Sequence, residues 1–218
     1  MNIAVFQHEP TEPLGYLEQV FSEHHVPFEY IELYETGEVP RINATHLVFM
    51  GGPMSANDER EYPYLKQEKE LIRNSAKNRQ EVLGICLGAQ LIASAFGAPV
   101  YHYITETGWH ELAIVPQTTG VFAGFPEKFH VFQLHGDTFA IPYSGKLLCT
   151  GEPVRNQGFS IHNCLGLQFH LEMTGEIIRQ WSRALRKYDR EWIARDTPRY
   201  LAESNRLCRL VAEDFIKK

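Results

Sequence analysis

Cysteine is scarce in this chain. Four occur in 218 residues, at positions 86, 149, 164 and 208, and no two form a CxxC pair. That excludes a disulfide-stapled scaffold and a CxxC redox or zinc motif, and a chain this long buries enough apolar surface without staples. A reducing, cytoplasmic setting is the expectation. Excess positive charge is also missing: 21 Lys and Arg against 27 Asp and Glu leave a net charge of −6. Nucleic acid is therefore not an expected partner. The opening MNIAVFQHEP has no basic n-region and no long apolar core, so no signal peptide is expected. One apolar run, residues 82–100, approaches the roughly 20 residues of a membrane span. Gly84, Gly88, Gly97 and Pro99 punctuate it, so it reads as a buried strand, a sharp turn and a buried helix, with no membrane partner expected. Repeats, low-complexity tracts, a clear inter-domain linker and a Walker-type phosphate loop are all absent. His110-Glu111 begins like the zinc motif HExxH, but Ile114 occupies the place of its second histidine.

What is present is an α/β pattern. Short apolar runs at residues 3–6, 28–33, 46–50 and 82–86 read as strands. Between them, Leu14, Leu17, Val20 and Phe21, and then Leu65, Leu71, Ile72 and Ala76, recur at helical spacing. Strands alternating with helices imply βαβ units and an open, mostly parallel sheet covered by helices on both faces. After Pro99 the texture becomes β-rich, with runs near 100–104, 112–115, 130–134, 146–150, 159–161 and 165–169 that close or extend the sheet. A helix is expected over 176–188, and a last one with Thr197 as N-cap and Pro198 at its first position. The simplest account is one domain over 1–218 with a helical C-terminal extension at about 189–218. Charge is uneven: from Gly175 onward Lys and Arg exceed Asp and Glu by 11 to 7, against 10 to 20 before it. A basic tail could dock a partner, although a solvated helix face explains it as simply.

Gly84-Ile85-Cys86-Leu87-Gly88 has the form G-x-C-x-G, placed between an apolar strand and an apolar helix. A nucleophile elbow requires that context. The tight turn needs small neighbours and lifts one side chain above the sheet edge. The helix that starts there offers unpaired N–H groups and a positive dipole end, which favour thiolate. The bland alternative is a buried cysteine between two packing glycines, and the strand–turn–helix setting argues against it. Thiolate chemistry needs a histidine and a group to orient it. Residues 166–172, GLQFHLE, read as a strand whose period of two puts Gln168, His170 and Glu172 on one face. That places His170 and Glu172 side by side near the carboxyl end of a strand, where open parallel sheets carry their sites.

GICLGAQLIA (84–93) together with GLQFHLE (166–172) resembles the class I glutamine amidotransferase family. The likeness is to free-standing proteins similar to the glutaminase domain of GMP synthase. GGPMSAND (51–58), TGWHEL (107–112) and FQLHGDTF (132–139) support it, in the family's order. The resemblance covers roughly residues 1–190. It implies a flavodoxin-like fold and attack by cysteine on the γ-carboxamide of glutamine, giving a γ-glutamyl thioester and ammonia. By the match, Cys86 is the nucleophile, His170 the acid–base and Glu172 its orienter. Gly52 and Leu87 would donate oxyanion-hole N–H groups, Gln90 would line the glutamine pocket, and His135, Gly136 and Asp137 match a pocket wall. For His135 and Asp137 a turn held by a local aspartate hydrogen bond is an equal alternative. The chemistry calls for no metal and no cofactor.

GMP synthase itself needs an ATP-pyrophosphatase module, which these residues do not contain. An ammonia-accepting synthase, if there is one, would be a separate chain. Four readings stand: a glutaminase delivering ammonia, a hydrolase or transferase of other γ-glutamyl amides or peptides, a silent binding or regulatory domain, and a redox or stress-type cysteine protein. The triad argues against the last two. The space beyond the amide nitrogen separates the first two, since peptides need an open leaving-group side.

Overall fold

The computed structural model describes residues 1–116, 118 and 120–218. In chain order the elements are β1 (Ile3–Gln7), α1 (Tyr16–Glu23), β2 (Phe28–Glu32), α2 (Leu33–Thr36), β3 (His46–Phe49), α3 (Tyr64–Lys77), β4 (Glu81–Ile85) and α4 (Leu87–Ala95). They continue with β5 (Val100–Ile114), β6 (Lys128–Phe139), β7 (Lys146–Thr150), β8 (Asn156–Ile161), β9 (Cys164–Leu167), α5 (Gly175–Ser182) and α6 (Lys187–Phe215). The strands form one sheet in the order β2-β1-β3-β4-β9-β8-β7-β5-β6. From β2 to β9 neighbours are parallel, and from β9 to β6 they are antiparallel. The result is an open mixed sheet whose parallel half was legible as βαβ units.

Both faces of the parallel half are covered, which explains why its strands are continuous apolar runs. Ile3 and Val5 of β1 pack with Leu17, Val20 and Phe21 of α1 and Leu207 and Val211 of α6. The alternate residues Ala4 and Phe6 face Leu65 and Ile72 of α3 and Leu91 and Ile92 of α4. Phe6 stacks on Phe49 of β3 with ring centroids 4.5 Å apart. A third cluster joins Trp109 and Phe132 of the long hairpin to Ile177 and Ile178 of α5 and Ile193 of α6. Among the described residues no helix is long and apolar enough to cross a membrane.

Four sequence expectations need correction. The runs at 100–104 and 112–115 belong to one strand, β5, bent by a register shift between His102 and Glu106. The strand expected to reach Glu172 ends at Leu167. Beyond it the chain leaves β4 and meets β6 through reciprocal Phe132–His170 backbone bonds of 3.2 and 2.9 Å. The helix expected over 176–188 stops at Ser182. Thr197 is not an N-cap either: α6 runs through Pro198 from Lys187 to Phe215. The Thr197 hydroxyl donates to Ile193 O at 2.7 Å and accepts from Trp109 Nε1 at 3.1 Å. Proline inside a helix costs about 3 kcal/mol. Ile193 before it and Leu207, Val211 and Phe215 beyond it are buried, so tertiary packing on both sides of Pro198 outweighs the local preference.

Candidate active site

The turn between β4 and α4 is built by glycine contacts. A Cβ at Gly84 would strike the Gly88 carbonyl, and one at Gly88 would strike the Phe49 backbone and sit 2.9 Å from Phe49 Cβ. Only glycine at both places lets β4, β3 and α4 approach this closely. Cys86 between them has φ 52° and ψ −105°, a left-handed conformation that a side chain rarely adopts and that marks functional turns. Cys86 as a whole residue is 6% exposed. Cys149, Cys164 and Cys208 are buried in the core; burial pushes the Cys164 thiol up to about 12 and also raises the other two well above the ordinary thiol range. Leu87 opens α4, so its N–H has no acceptor within the helix. Gly52 lies against it: a Cβ there would be 2.8 Å from Leu87 Cδ2 and 2.9 Å from His8 Cβ.

His170 and Glu172 come together although their strand has ended. Although the chain bends beyond β9, both side chains still turn to the same place, and His170 Nδ1 donates to Glu172 Oε1 at 2.6 Å. Burial opposes charge on the imidazole, but the Glu172 carboxylate and the neighbouring Cys86 sulfur outweigh it and hold the His170 pKa well above its ordinary value. His170 Nε2 is buried without a partner of hydrogen-bonding geometry among the described residues. Nε2 is thus the ring nitrogen that Glu172 leaves unused, and Cys86 adds to the pull that keeps the ring charged. Trp181 of α5 packs edge-on against the His170 ring, 5.0 Å between centroids.

Cys86 opens on a cavity of about 340 Å³ lined by Gly52, Met54, Ser55, Gln90, His135, Gly136 and Asp137 among others. Gln90 Nε2 donates to Asp137 O at 3.1 Å. Asp137 Oδ2 accepts from Ser55 Oγ at 2.7 Å, and His102 stands 3.3 Å from Oδ1 at the rim. The turn alternative for His135 and Asp137 fails, because both lie within β6. His135 donates through Nδ1 to Asp137 O at 3.0 Å and through Nε2 to buried Glu106 at 3.0 Å, and Gln157 donates to the same Glu106 oxygen at 2.8 Å. Burial alone would raise the Glu106 pKa; these bonds overcome it and lower it. Larger clefts exist, of about 550 Å³ near the start of β4 and about 450 Å³ between α5 and α6. Neither is lined by Cys86, so chemistry rather than size identifies the site.

Several site residues escaped the sequence reading. Gln168 Nε2 lies 3.8 Å from Cys86 Sγ, and Gln168 Oε1 accepts from Gln90 at 3.4 Å; its place on the His170 face was the available signal. His8 and Glu68 are both buried. His8 bonds Gly51 O at 3.0 Å through Nδ1 and Glu68 at 2.9 Å through Nε2. Burial lowers the His8 pKa, but Glu68, the Gly51 carbonyl and Glu12 together raise it more, so it ends above its ordinary value. This pair pins the Gly51-Gly52 loop, and 60 residues separate its members in sequence. Glu12 is the fourth omission. A Cβ at Gly51 would collide with the Glu12 carboxylate and lie 3.4 Å from His170 Cε1.

Comparison with known proteins agrees with this architecture. Residues 16–180 match the family described as glutamine amidotransferase class-I. A glutamine-hydrolyzing GMP synthase of Borrelia garinii subsp. bavariensis is 31% identical over 140 residues, 63% of this chain. The chain covers only 25% of that protein's length. A protein of Saccharolobus solfataricus named as one subunit of a glutamine-hydrolyzing GMP synthase is 31% identical over 136 residues, 58% of this chain and 66% of that one. The crystal structure of a glutamine amidotransferase from Thermotoga maritima superposes with a TM-score of 0.92 at 32% identity, covering 100% of this chain and 99% of that one. A glutamine amido transferase structure from Methylobacillus flagellatus gives 0.90 at 27% identity, covering 99% and 94%. The chain belongs to the class I glutamine amidotransferase family.

Proposed function

We propose that this protein is a glutaminase whose nucleophile is Cys86. The observation that carries the proposal is one constellation: a strained cysteine at the elbow, a free imidazole nitrogen of His170 beside it, and Glu172 at 2.6 Å behind the ring. Cys86 sulfur attacks the γ-carboxamide carbon, and the charge that develops on oxygen meets the Gly52 and Leu87 N–H groups. His170 donates its proton to the departing nitrogen, the C–N bond breaks, and ammonia leaves a γ-glutamyl thioester. Water then attacks with His170 as base, releasing glutamate and the thiol. Glu172 holds the imidazole's tautomer and supports its charge. Gln90, His135 and Gly136 shape the acyl pocket, and the Asp137 carboxylate suits the α-ammonium of a glutamyl group.

Glutamine is favoured over bulky γ-glutamyl amides by the leaving-group side. The proton donor His170 is 1% exposed, and the 8–15 loop with Glu12 covers Gly51 next to it. Ammonia fits there more readily than a peptide. We also propose an acceptor of ammonia on a separate chain, a reading supported by the Saccharolobus relative, whose name makes it part of a multi-chain synthase. The packing of α6 against α1 within the core favours the chain as one folded domain, its helical tail included.

The test is to follow glutamate release from glutamine, and from a panel of γ-glutamyl amides and peptides, against a Cys86→Ala control. Turnover of glutamine that vanishes in the control is the expected result. Preference for the larger substrates would replace glutaminase by γ-glutamyl hydrolase, and turnover that survives Cys86→Ala would remove the nucleophile.

A further inference from the structure

Residues 8–15 form a strap over the triad that is anchored on every side. His8 holds Gly51 O, Trp181 Nε1 donates to Thr11 O at 2.8 Å, Leu14 N donates to the Tyr30 hydroxyl at 3.0 Å, and Tyr16 N donates to Glu172 O at 2.7 Å. Gly15, with φ 54°, lies so close to Glu172 O that any Cβ would collide with it. The strap therefore places Glu12 by construction. Its carboxyl lies over Gly51 so that a single methyl group would touch both it and the Cε1 edge of His170. The main influences on its ionisation are burial and the neighbouring charges of His170, His8, Glu172 and Glu9.

Resting on the proposed chemistry of His170, we propose that Glu12 is a positioning residue with a regulatory charge. By gaining or losing its negative charge beside the imidazole, it sets how firmly His170 holds its proton. The groups that face it are His8 and Glu9 from its own segment, His170 and Glu172 from the segment after β9, and Glu68 of α3 behind His8. Burial pushes the Glu12 carboxyl up to about 7, the charges of His170 and His8 pull the other way, and Glu172 and Glu9 add to the rise. Its charge therefore changes across the neutral range. Above that range a second carboxylate joins Glu172 in supporting the imidazolium; below it Glu172 acts alone. Activity should rise with pH through about 7 for this reason and fall at higher pH when His170 finally loses its proton.

The experiment measures two pH profiles on the full chain, for wild type and for Glu12→Gln and Glu12→Asp. One is kcat/KM for glutamine. The other is the rate of Cys86 alkylation by iodoacetamide, corrected with Cys86→Ala. In Glu12→Gln the inflection near pH 7 should disappear from both, the basic limb should move to lower pH, and kcat/KM at pH 8 should fall about tenfold. Glu12→Asp should restore the inflection in part. A uniform loss with unmoved limbs, or an unchanged profile, would overturn the proposal. Alkylation responds even without turnover: if wild type ignores glutamine but its alkylation profile changes in Glu12→Gln as described, the glutaminase reading fails and the role of Glu12 stands.

Discussion

Replacing Glu172 by Gln keeps the size of the side chain and removes its charge. In the native site this carboxylate sits 2.6 Å from His170 Nδ1, with both groups buried. A hydrogen bond to a charged partner contributes about 1.5–3 kcal/mol net. At about 1.4 kcal/mol per factor of ten, kcat/KM should fall roughly ten- to hundredfold. His170→Ala removes the proposed proton donor itself and should cost more, in the range of about 10²–10⁴-fold or beyond. Stability should follow a definite sign. The folded His170 pKa is raised, so its contribution is fully present below its unfolded value and is lost as pH rises through the folded one. Glu172→Gln should therefore be most destabilising near pH 6 and approach wild type in alkaline solution. Steady-state kinetics over pH, with urea denaturation of wild type and both variants at pH 6 and 9, would measure this. Equal or greater kinetic loss at Glu172 than at His170, or a stability difference independent of pH, would refute the assignment of Glu172 as orienter.

Cys86→Ser and Cys86→Ala should each abolish glutamate release while the thermal transition stays close to wild type; retained turnover would remove the central claim. A glutamine-analogue electrophile should add mass at Cys86 before Cys149, Cys164 or Cys208, because burial holds those three thiols protonated; peptide mapping would detect the opposite order. Gly88→Ala should destabilise by about 1–3 kcal/mol, since the new methyl meets the β3 backbone rather than a flexible side chain, and denaturant midpoints would reveal a neutral outcome. Glu12→Gln should stabilise the fold at pH 8 and not at pH 4. A carboxyl raised to about 7 loses stability as pH rises from its unfolded value through the folded one. The gain is on the order of 1–3 kcal/mol, discounted because Glu12 keeps some exposed surface.

The parallel half of the fold and the elbow were legible because local chemistry dictates them. Runs such as IAVF and HLVF are apolar on both sides because both sides are covered, and G-x-C-x-G after a strand leaves few alternatives to a tight turn. His170 and Glu172 were legible through a period of two that outlived the strand itself. What failed was where distant packing overrode a local signal: Thr197-Pro198 reads as a helix start, yet buried side chains on both sides carry α6 through it. The surroundings of the triad were out of reach for a related reason. His8, Glu12 and Glu68 look like ordinary polar residues on a loop and a helix, and Glu106 like one of many acids in a strand. Only the folded sheet converts them: the order that brings β1, β3, β4 and β9 together gives a buried pair pinning Gly51 and a carboxyl over His170, and the β5–β6 pairing gives a brace behind His135. Sequence determined which residues are the candidates for the proposed chemistry, since residue type and spacing are local. Tertiary structure decided which charges surround them, because burial and proximity across 60 or more residues exist only in the folded chain.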